Sequence, residues 1–100
     1  MVKHIIIWTL KDSFSDSEKE EIKKNIKSGL EGLMGKIEGL TEIRVQTDRL
    51  PTSTGDLMLD STFTSAEALK AYATHPAHVE VADRDVRPFT AQRSCLDFEI

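Results

Sequence analysis

The sequence predicts an α+β domain of the ferredoxin-like type, with the element order strand, helix, strand, strand, helix, strand. Segments rich in β-branched and apolar residues, several of them alternating, are typical of strands and occur at residues 2–10, 41–48, 56–63 and 90–99. Segments with apolar residues three or four positions apart are typical of helices and lie after the first and third strands. This order is that of the split βαβ motif, which forms an antiparallel sheet with both helices on one face.

The first strand, VKHIIIWTL, is apolar on both faces. His4, Ile6 and Trp8 share one face, and Ile5 and Ile7 share the other. A strand that is apolar on both sides is usually covered on both sides, yet the helices of this fold cover only one. We therefore expect Ile5 and Ile7 to lie on a bare apolar face. A second copy of the chain, packed sheet against sheet about a two-fold axis, is the simplest partner.

The first helix is predicted to begin at one of two capping boxes, Ser15 with Glu18 or Ser17 with Glu20, and to run to about Met34. Its core-facing stripe consists of apolar residues at helical spacing: Ile22, Ile26, Leu30, Leu33 and Ile37. Glycines at positions 29, 32 and 35 weaken the last turns.

The middle strands follow as an alternating pair around a loop over residues 49–55. Their inward positions are predicted to be Ile43, Val45 and Thr47 on one strand and Leu57, Leu59, Ser61 and Phe63 on the other. The second helix begins at Thr64 and Ser65 and should stop near His75, because the residue before a proline avoids helical backbone angles. Pro76 can open a new helical turn, which residues 77–86 continue.

Composition narrows the classes of function. The 100 residues predict one domain spanning 1–100, and 39% hydrophobic with 30% charged residues is typical of a folded protein. A net charge of −4 disfavours nucleic acid as a partner. No apolar run is long enough to span a bilayer, and the start does not resemble a signal peptide. The single Cys95 excludes an internal disulfide. Together these features lead us to expect a cytoplasmic protein with no membrane partner.

The residues that carry possible chemistry are Tyr72, His75 and His78, with His4 far away in sequence. His78 lies in the first turn after Pro76, where a helix N-terminus disfavours an added positive charge. A neutral imidazole beside a tyrosine hydroxyl is a competent proton-transfer pair. His4 shares the helix-facing side of the first strand and can reach the same cavity.

Structural roles compete with these functional ones. Tyr72 can serve as a core aromatic, His75 as a cap of the turn, and His4 as a satisfied core histidine. A metal site at His75 and His78 is disfavoured because Pro76 interrupts their turn, so the sequence predicts neither a metal nor a cofactor. Cys95 is expected to be a small, half-buried hydrophobe.

The chain resembles the stress-responsive A/B barrel (Dabb) family over nearly its whole length. The resemblance rests on Val2-Lys3-His4-Ile5-Ile6-Ile7-Trp8, Phe63, Ala71-Tyr72-Ala73-Thr74-His75-Pro76-Ala77-His78 and Leu96-Asp97-Phe98. It implies a dimeric α/β barrel in which two ferredoxin-like sheets pack together. Related plant polyketide cyclases of the olivetolic acid type use a tyrosine and a histidine for an aldol-type ring closure. Carried over by position, these residues are Tyr72 and His78.

The chain departs from those cyclases on the first helix, where they carry large aromatic residues and this sequence has Ile22, Lys23 and Ile26. The cyclase substrate is therefore not carried over. We expect the ligand to contact Ile22, Ile26, Leu59, Phe89 and His75.

Three functions remain open at this point. The chain is a dimer that binds a small, partly apolar molecule, an enzyme of the lyase, cyclase or isomerase type that uses Tyr72, His78 and His4, or a structural assembly protein.

Overall fold

Four antiparallel strands form one sheet, and the helices pack on one of its faces. The computed structural model describes residues 1–100. The elements are β1 (Val2–Leu10), α1 (Asp16–Glu31), β2 (Leu40–Gln46), β3 (Leu57–Phe63), α2 (Ala66–Thr74), α3 (Pro76–Val81), a π-helical turn (Ala82–Val86) and β4 (Thr90–Glu99). The strand order across the sheet is β2-β3-β1-β4. This confirms the predicted ferredoxin-like α+β fold. None of the helices is long and apolar enough to cross a bilayer.

The register of β1 decides which side chains meet. His4 lies opposite Ser61 of β3 and opposite Asp97 of β4, and residues directly opposite in an antiparallel pair share a face of the sheet. The even-numbered residues of β1 are buried beneath the helices, as predicted. The register therefore carries Asp97 and its alternate neighbours on β4 to the helix side of the sheet.

The hydrophobic core fills the space between that side of the sheet and the helices. Ile26 and Phe63 are completely buried, and Leu59 and Val45 nearly so. Burying side chains of this size contributes about 1.5–3 kcal/mol each to the free energy of unfolding. The predicted inward positions of β2 and β3 are thus confirmed, except that Thr47 lies beyond the end of β2 and is half-buried.

The opposite face of the sheet is bare. Ile7 is 45% exposed, Leu96 63% and Phe98 42%, and all three lie on this face together with the half-buried Ile5. The same face carries a charged pair on the two central strands, where Lys3 Nζ of β1 lies 2.8 Å from Asp60 Oδ1 of β3. The apolar side chains of β1 and β4 therefore adjoin a charged pair on one surface.

The first helix begins as predicted but ends early. The Glu18 backbone N–H donates to Ser15 Oγ, and the Ser15 backbone N–H donates to the Glu18 carboxylate, so the first of the two possible capping boxes forms. The helix ends at Glu31 rather than near Met34. Gly35 has φ = +84°, a left-handed conformation that L side chains rarely adopt and that a helix cannot contain.

The segment after Pro76 also differs from its prediction. The α-helix ends at Val81, and residues Ala82–Val86 form a π-helical turn in which the Arg87 N–H donates to the Ala82 carbonyl at 2.8 Å. Ala82 and Val86 are both buried. Such wide turns are rare and often lie beside functional sites. Here the π turn borders the cavity described next.

Candidate functional site

Three separate elements bring Tyr72, His78 and His4 together. Ser65 caps α2 by accepting from the Ala68 N–H at 3.1 Å, and Tyr72 is carried on the inner side of this helix. Pro76 ends α2 and opens α3, so the chain turns and His78 lies against Tyr72. Their ring centroids are 4.1 Å apart, and the rings of His4 and Tyr72 are 6.2 Å apart.

The hydroxyl of Tyr72 is the one buried side-chain polar atom without a hydrogen-bond partner. The residue is 2% exposed, and its ring packs against Phe63 with centroids 4.9 Å apart. Burial raises the pKa of Tyr72 far above its usual range, and the nearby charge of Arg93 opposes this only in part. The group is therefore a neutral hydrogen-bond donor, never a phenolate, in the physiological pH range.

His78 is poised in its neutral form. Burial lowers the pKa of His78, and the charges of Arg87, His4 and Arg93 add to this effect, while the hydrogen bond to Ala73 opposes it. Nδ1 lies 3.3 Å from the Ala73 carbonyl oxygen. A carbonyl oxygen only accepts, so Nδ1 carries the proton and Nε2 of the neutral ring is left as an acceptor. The ring can therefore take up a proton at Nε2.

His4 meets two polar side chains of β4. Its Nδ1 lies 2.5 Å from Asp97 Oδ1 and 3.8 Å from Cys95 Sγ. The Cys95 thiol donates to Asp97 Oδ1 at 3.5 Å. Partial desolvation of the thiol by its neighbours and this hydrogen bond to Asp97 raise the pKa of Cys95, and Arg93 opposes the shift. His4 is 6% exposed, whereas Cys95 is exposed, which corrects the expectation that Cys95 is half-buried.

These groups surround one cavity of about 750 Å³ between the sheet and the helices. Its wall is mostly hydrophobic and includes Trp8 and Leu59, while Arg87 and Arg93 add positive charge. Volumes of this size are typical of sites for small organic molecules, which combine an apolar wall with a few placed polar groups. The cavity thus fits a largely apolar molecule with at least one hydrogen-bond acceptor.

The structure places the sequence-predicted site residues in two groups. His4, Tyr72, His78 and Leu59 border the cavity. The other four do not, namely Ile22, Ile26, Phe89 and His75.

Each residue of the second group has a structural role that keeps it out of the cavity wall. The side chains of Ile22 and Ile26 are buried in the hydrophobic core, and Phe89 packs against Phe14 with ring centroids 5.7 Å apart. His75 caps α3, because its Nδ1 accepts from the Ala77 N–H at 3.1 Å. The residue of α1 that borders this cavity is Leu30. Ligand contacts at Ile22, Ile26, Phe89 and His75 stay predictions.

Sequence reasoning missed the contribution of β4. Arg93, Cys95 and Asp97 all border the cavity and alternate along one face of this strand. Their signal was present as a run of polar residues at alternate positions on a strand whose other positions, Leu96 and Phe98, are apolar. The alternation indicates that the polar side of β4 faces the cavity and the apolar side faces the bare surface.

The fold and cavity define a class: ferredoxin-like α+β proteins with an apolar, histidine-containing cavity between sheet and helices. Residues 2–100 match the model of the stress responsive A/B barrel domain, and the chain belongs to that family. No protein of curated function matches the sequence.

Solved structures agree with this assignment. A dimeric protein of unknown function and ferredoxin-like fold from Bacteroides fragilis is 32% identical, with a TM-score of 0.92 over 99% of this chain and 95% of that one. A protein of Arabidopsis thaliana is 27% identical, with a TM-score of 0.74 over 100% and 95%. A hydroxynitrile lyase from Passiflora edulis is 20% identical, with a TM-score of 0.73 over 99% and 92%, and this likeness shows the fold alone.

Proposed function

We propose that the protein binds a small, largely apolar molecule in the cavity and holds an oxygen of that molecule with the Tyr72 hydroxyl. The observation that carries the proposal is that this hydroxyl is buried and has no partner within the protein. An unpaired buried hydroxyl costs about 1–3 kcal/mol, and a carbonyl or carboxylate oxygen of a ligand would remove that cost. The charged residues of the lining are three basic ones, Lys70, Arg87 and Arg93, and two acidic ones, Asp97 and Glu99. This small excess of positive charge favours a ligand with negative or partial negative charge.

Trp8 supplies a built-in reporter. It is the single tryptophan, it is 4% exposed, and it borders the cavity. We expect the aromatic anion 8-anilinonaphthalene-1-sulfonate to bind saturably, with one molecule per chain and energy transfer from Trp8. Native mass spectrometry of gently purified protein would show in parallel whether a cellular molecule is retained.

A matched pair of variants separates cavity binding from adsorption on the bare sheet face. Ala73 and Ala71 are both exposed on α2, but only Ala73 borders the cavity. We expect Ala73→Phe to abolish dye binding and Ala71→Phe to leave it intact. Equal binding by the two variants, or no saturable binding and no retained molecule, would contradict the proposal.

An enzymatic role is the second candidate, and the Tyr72–His78 geometry favours it. A neutral imidazole with a free Nε2, set 4.1 Å from a tyrosine ring that carries an unpaired hydroxyl, is suited to proton abstraction next to a carbonyl. His78 would act as the general base or acid, and Tyr72 would donate to the developing oxyanion. His4 would contact the substrate from the sheet side of the same cavity.

The base can be tested without knowing the substrate. 5-Nitrobenzisoxazole is an apolar probe whose N–O bond opens when a base removes its ring C–H proton. We expect the protein to accelerate this opening and His78→Gln to remove the acceleration. His75→Gln is the control, because His75 lies outside the cavity. An unchanged rate in His78→Gln would contradict the assignment of the base.

We also propose that the chain forms a homodimer through the bare sheet face. Similar solved proteins are described as dimeric, and the strip containing Ile7, Leu96 and Phe98 would otherwise be wet. We expect Ile7→Asp to yield monomers in sedimentation velocity. Met34→Asp is the matched control, since Met34 is 49% exposed, close to the 45% of Ile7, but lies in the turn after α1 and not on a strand.

A monomeric wild-type protein would contradict this interface. A stable Ile7→Asp dimer would show that another surface associates. Species larger than a dimer in the wild type would favour the structural assembly role. A cytoplasmic location stays a prediction from the sequence, and cell fractionation would test it.

A further inference from the structure

Three different metal-ligating side chains converge at the cavity wall where β1 and β4 pair. His4 lies directly opposite Asp97, and Cys95 precedes Asp97 by two residues on the same face of β4. One donor atom from each residue lies within 4.8 Å of the other two. The donor atoms thus come from two hydrogen-bonded strands, whose backbones hold the spacing of the three side chains.

The spacing is close to that of a tetrahedral metal site. With metal–ligand bonds of about 2.0–2.3 Å, the atoms at the corners of a tetrahedron are about 3.3–3.7 Å apart. Cys95 Sγ lies 3.8 Å from His4 Nδ1 and 3.5 Å from Asp97 Oδ1. Only the His4–Asp97 edge, at 2.5 Å, is too short, and it is a hydrogen bond that an ion would replace. Opening this edge by about 0.8 Å needs only a side-chain rotation of the exposed Asp97.

We propose that His4, Cys95 and Asp97 form a binding site for one zinc ion, or a similar thiophilic divalent cation, per chain. Imidazole and thiolate ligands suit zinc and exclude magnesium and calcium, which require oxygen ligands. The carboxylate and the thiolate together neutralise the charge of the ion. This neutralisation matters because the positive side chains of Arg87 and Arg93 border the same cavity and would repel an uncompensated cation.

The proposed site is of the open type. Three protein ligands leave a fourth position for water or a ligand oxygen, as in catalytic rather than structural zinc sites. All three ligands border the cavity, so the fourth position faces its interior. A carboxylate or carbonyl oxygen of a bound molecule would coordinate there, beside the Tyr72 ring that lies 6.2 Å from the ring of His4. The site stands on its own residues, whether or not the cavity binds an organic molecule.

Cobalt(II) is the probe that tests the proposal, because a cobalt–thiolate bond gives a charge-transfer band in the near ultraviolet. We expect the purified wild-type protein to show this band with one cobalt per chain, and Zn²⁺ to displace it. Cys95→Ser should remove the band. Asp97→Asn should weaken Zn²⁺ binding, measured by calorimetry, by more than about 100-fold, which exceeds the loss expected for a residue that only hydrogen-bonds to a metal ligand. Both residues are exposed, so the variants should keep the fold, which circular dichroism would verify.

His75→Gln is the matched control, because His75 is a half-buried histidine outside the cavity that an adventitious ion could use. We expect it to bind cobalt as the wild type does. The proposal is overturned if the wild type gives no charge-transfer band, or if Cys95→Ser and Asp97→Asn bind Zn²⁺ as tightly as the wild type does, whatever the result for His75→Gln. In either case the short His4–Asp97 contact is a plain hydrogen bond.

Discussion

Replacing Tyr72 with phenylalanine should make the ligand-free protein more stable, which is the opposite of the usual effect of a buried substitution. The Tyr72 hydroxyl is buried without a partner, so the folded protein loses the hydrogen bond that water gives this group in the unfolded chain. The cost of such a group is about 1–3 kcal/mol, and the lost packing of one oxygen atom offsets part of it. We expect a net gain in the free energy of unfolding of about 1 kcal/mol.

Urea unfolding followed by the fluorescence of Trp8 measures this difference directly. In a domain of this size, a gain of about 1 kcal/mol corresponds to a rise in Tm of about 4–8 °C. Protein concentrations must be matched, because association stabilises a dimer by mass action. Tyr72→Ala is the control, since it also removes the ring that packs 4.9 Å from Phe63, and we expect it to lose about 3–5 kcal/mol.

The outcome that refutes the reasoning is a Tyr72→Phe protein that is less stable than the wild type by about 1 kcal/mol or more. Such a loss would mean that the hydroxyl forms a hydrogen bond in the ligand-free protein. The same variant should bind the fluorescent dye or a retained cellular molecule more weakly, because it cannot donate to the ligand. A gain in stability together with a loss of binding would identify the hydroxyl as a group kept for function.

Two further predictions concern stability. Burial lowers the pKa of His78 in the folded protein below the value of about 6.5 that it has in the unfolded chain. The unfolded chain therefore binds the proton first, so the stability that neutral His78 contributes is complete above that pH and is lost as the pH falls through the lowered folded pKa. Urea unfolding between pH 8 and 5 should therefore show a decline that is smaller in His78→Gln, and identical declines would contradict the assigned burial effect. Gly39 and Gly35 both have left-handed φ angles, of 85° and 84°, but an added Cβ would lie 2.5 Å from Ala68 Cβ at Gly39 and would meet nothing within 4 Å at Gly35. We expect Gly35→Ala to cost about 1–2 kcal/mol and Gly39→Ala clearly more in thermal unfolding, whereas equal losses would show that α2 shifts to make room.

Local patterns were enough to predict the fold. The alternation in the strands, the Ser15 capping box and the proline after His75 act within a few residues, and the structure confirms each of them. The early end of α1 was harder, because Leu33 and Ile37 stay in the core although the chain there is no longer helical. Helical spacing indicates which residues are buried, not that the backbone between them is a helix.

The candidate site was predictable only in part. Tyr72 and His78 are close in sequence, so the turn at Pro76 indicates that they meet. The contact between His4 and Asp97 joins residues 93 positions apart. The predicted fold places the first and last strands side by side, but no local signal specifies the register that sets His4 opposite Asp97. Ile22 and Ile26, which were expected to contact the ligand, lie in the core, because helical spacing alone does not separate core positions from cavity positions. The register between distant strands is therefore the part of the site that local patterns do not predict.

Strand β1 serves two surfaces at once. Its even-numbered residues line the cavity and the core, and Ile5 and Ile7 lie on the face assigned to the partner subunit. A molecule bound in the cavity and a second protomer would therefore contact opposite faces of the same strand. If both stabilise the same conformation of β1, each raises the affinity of the protein for the other by the same factor. Ligand affinity would then depend on total protein concentration, and dilution alone would release the ligand.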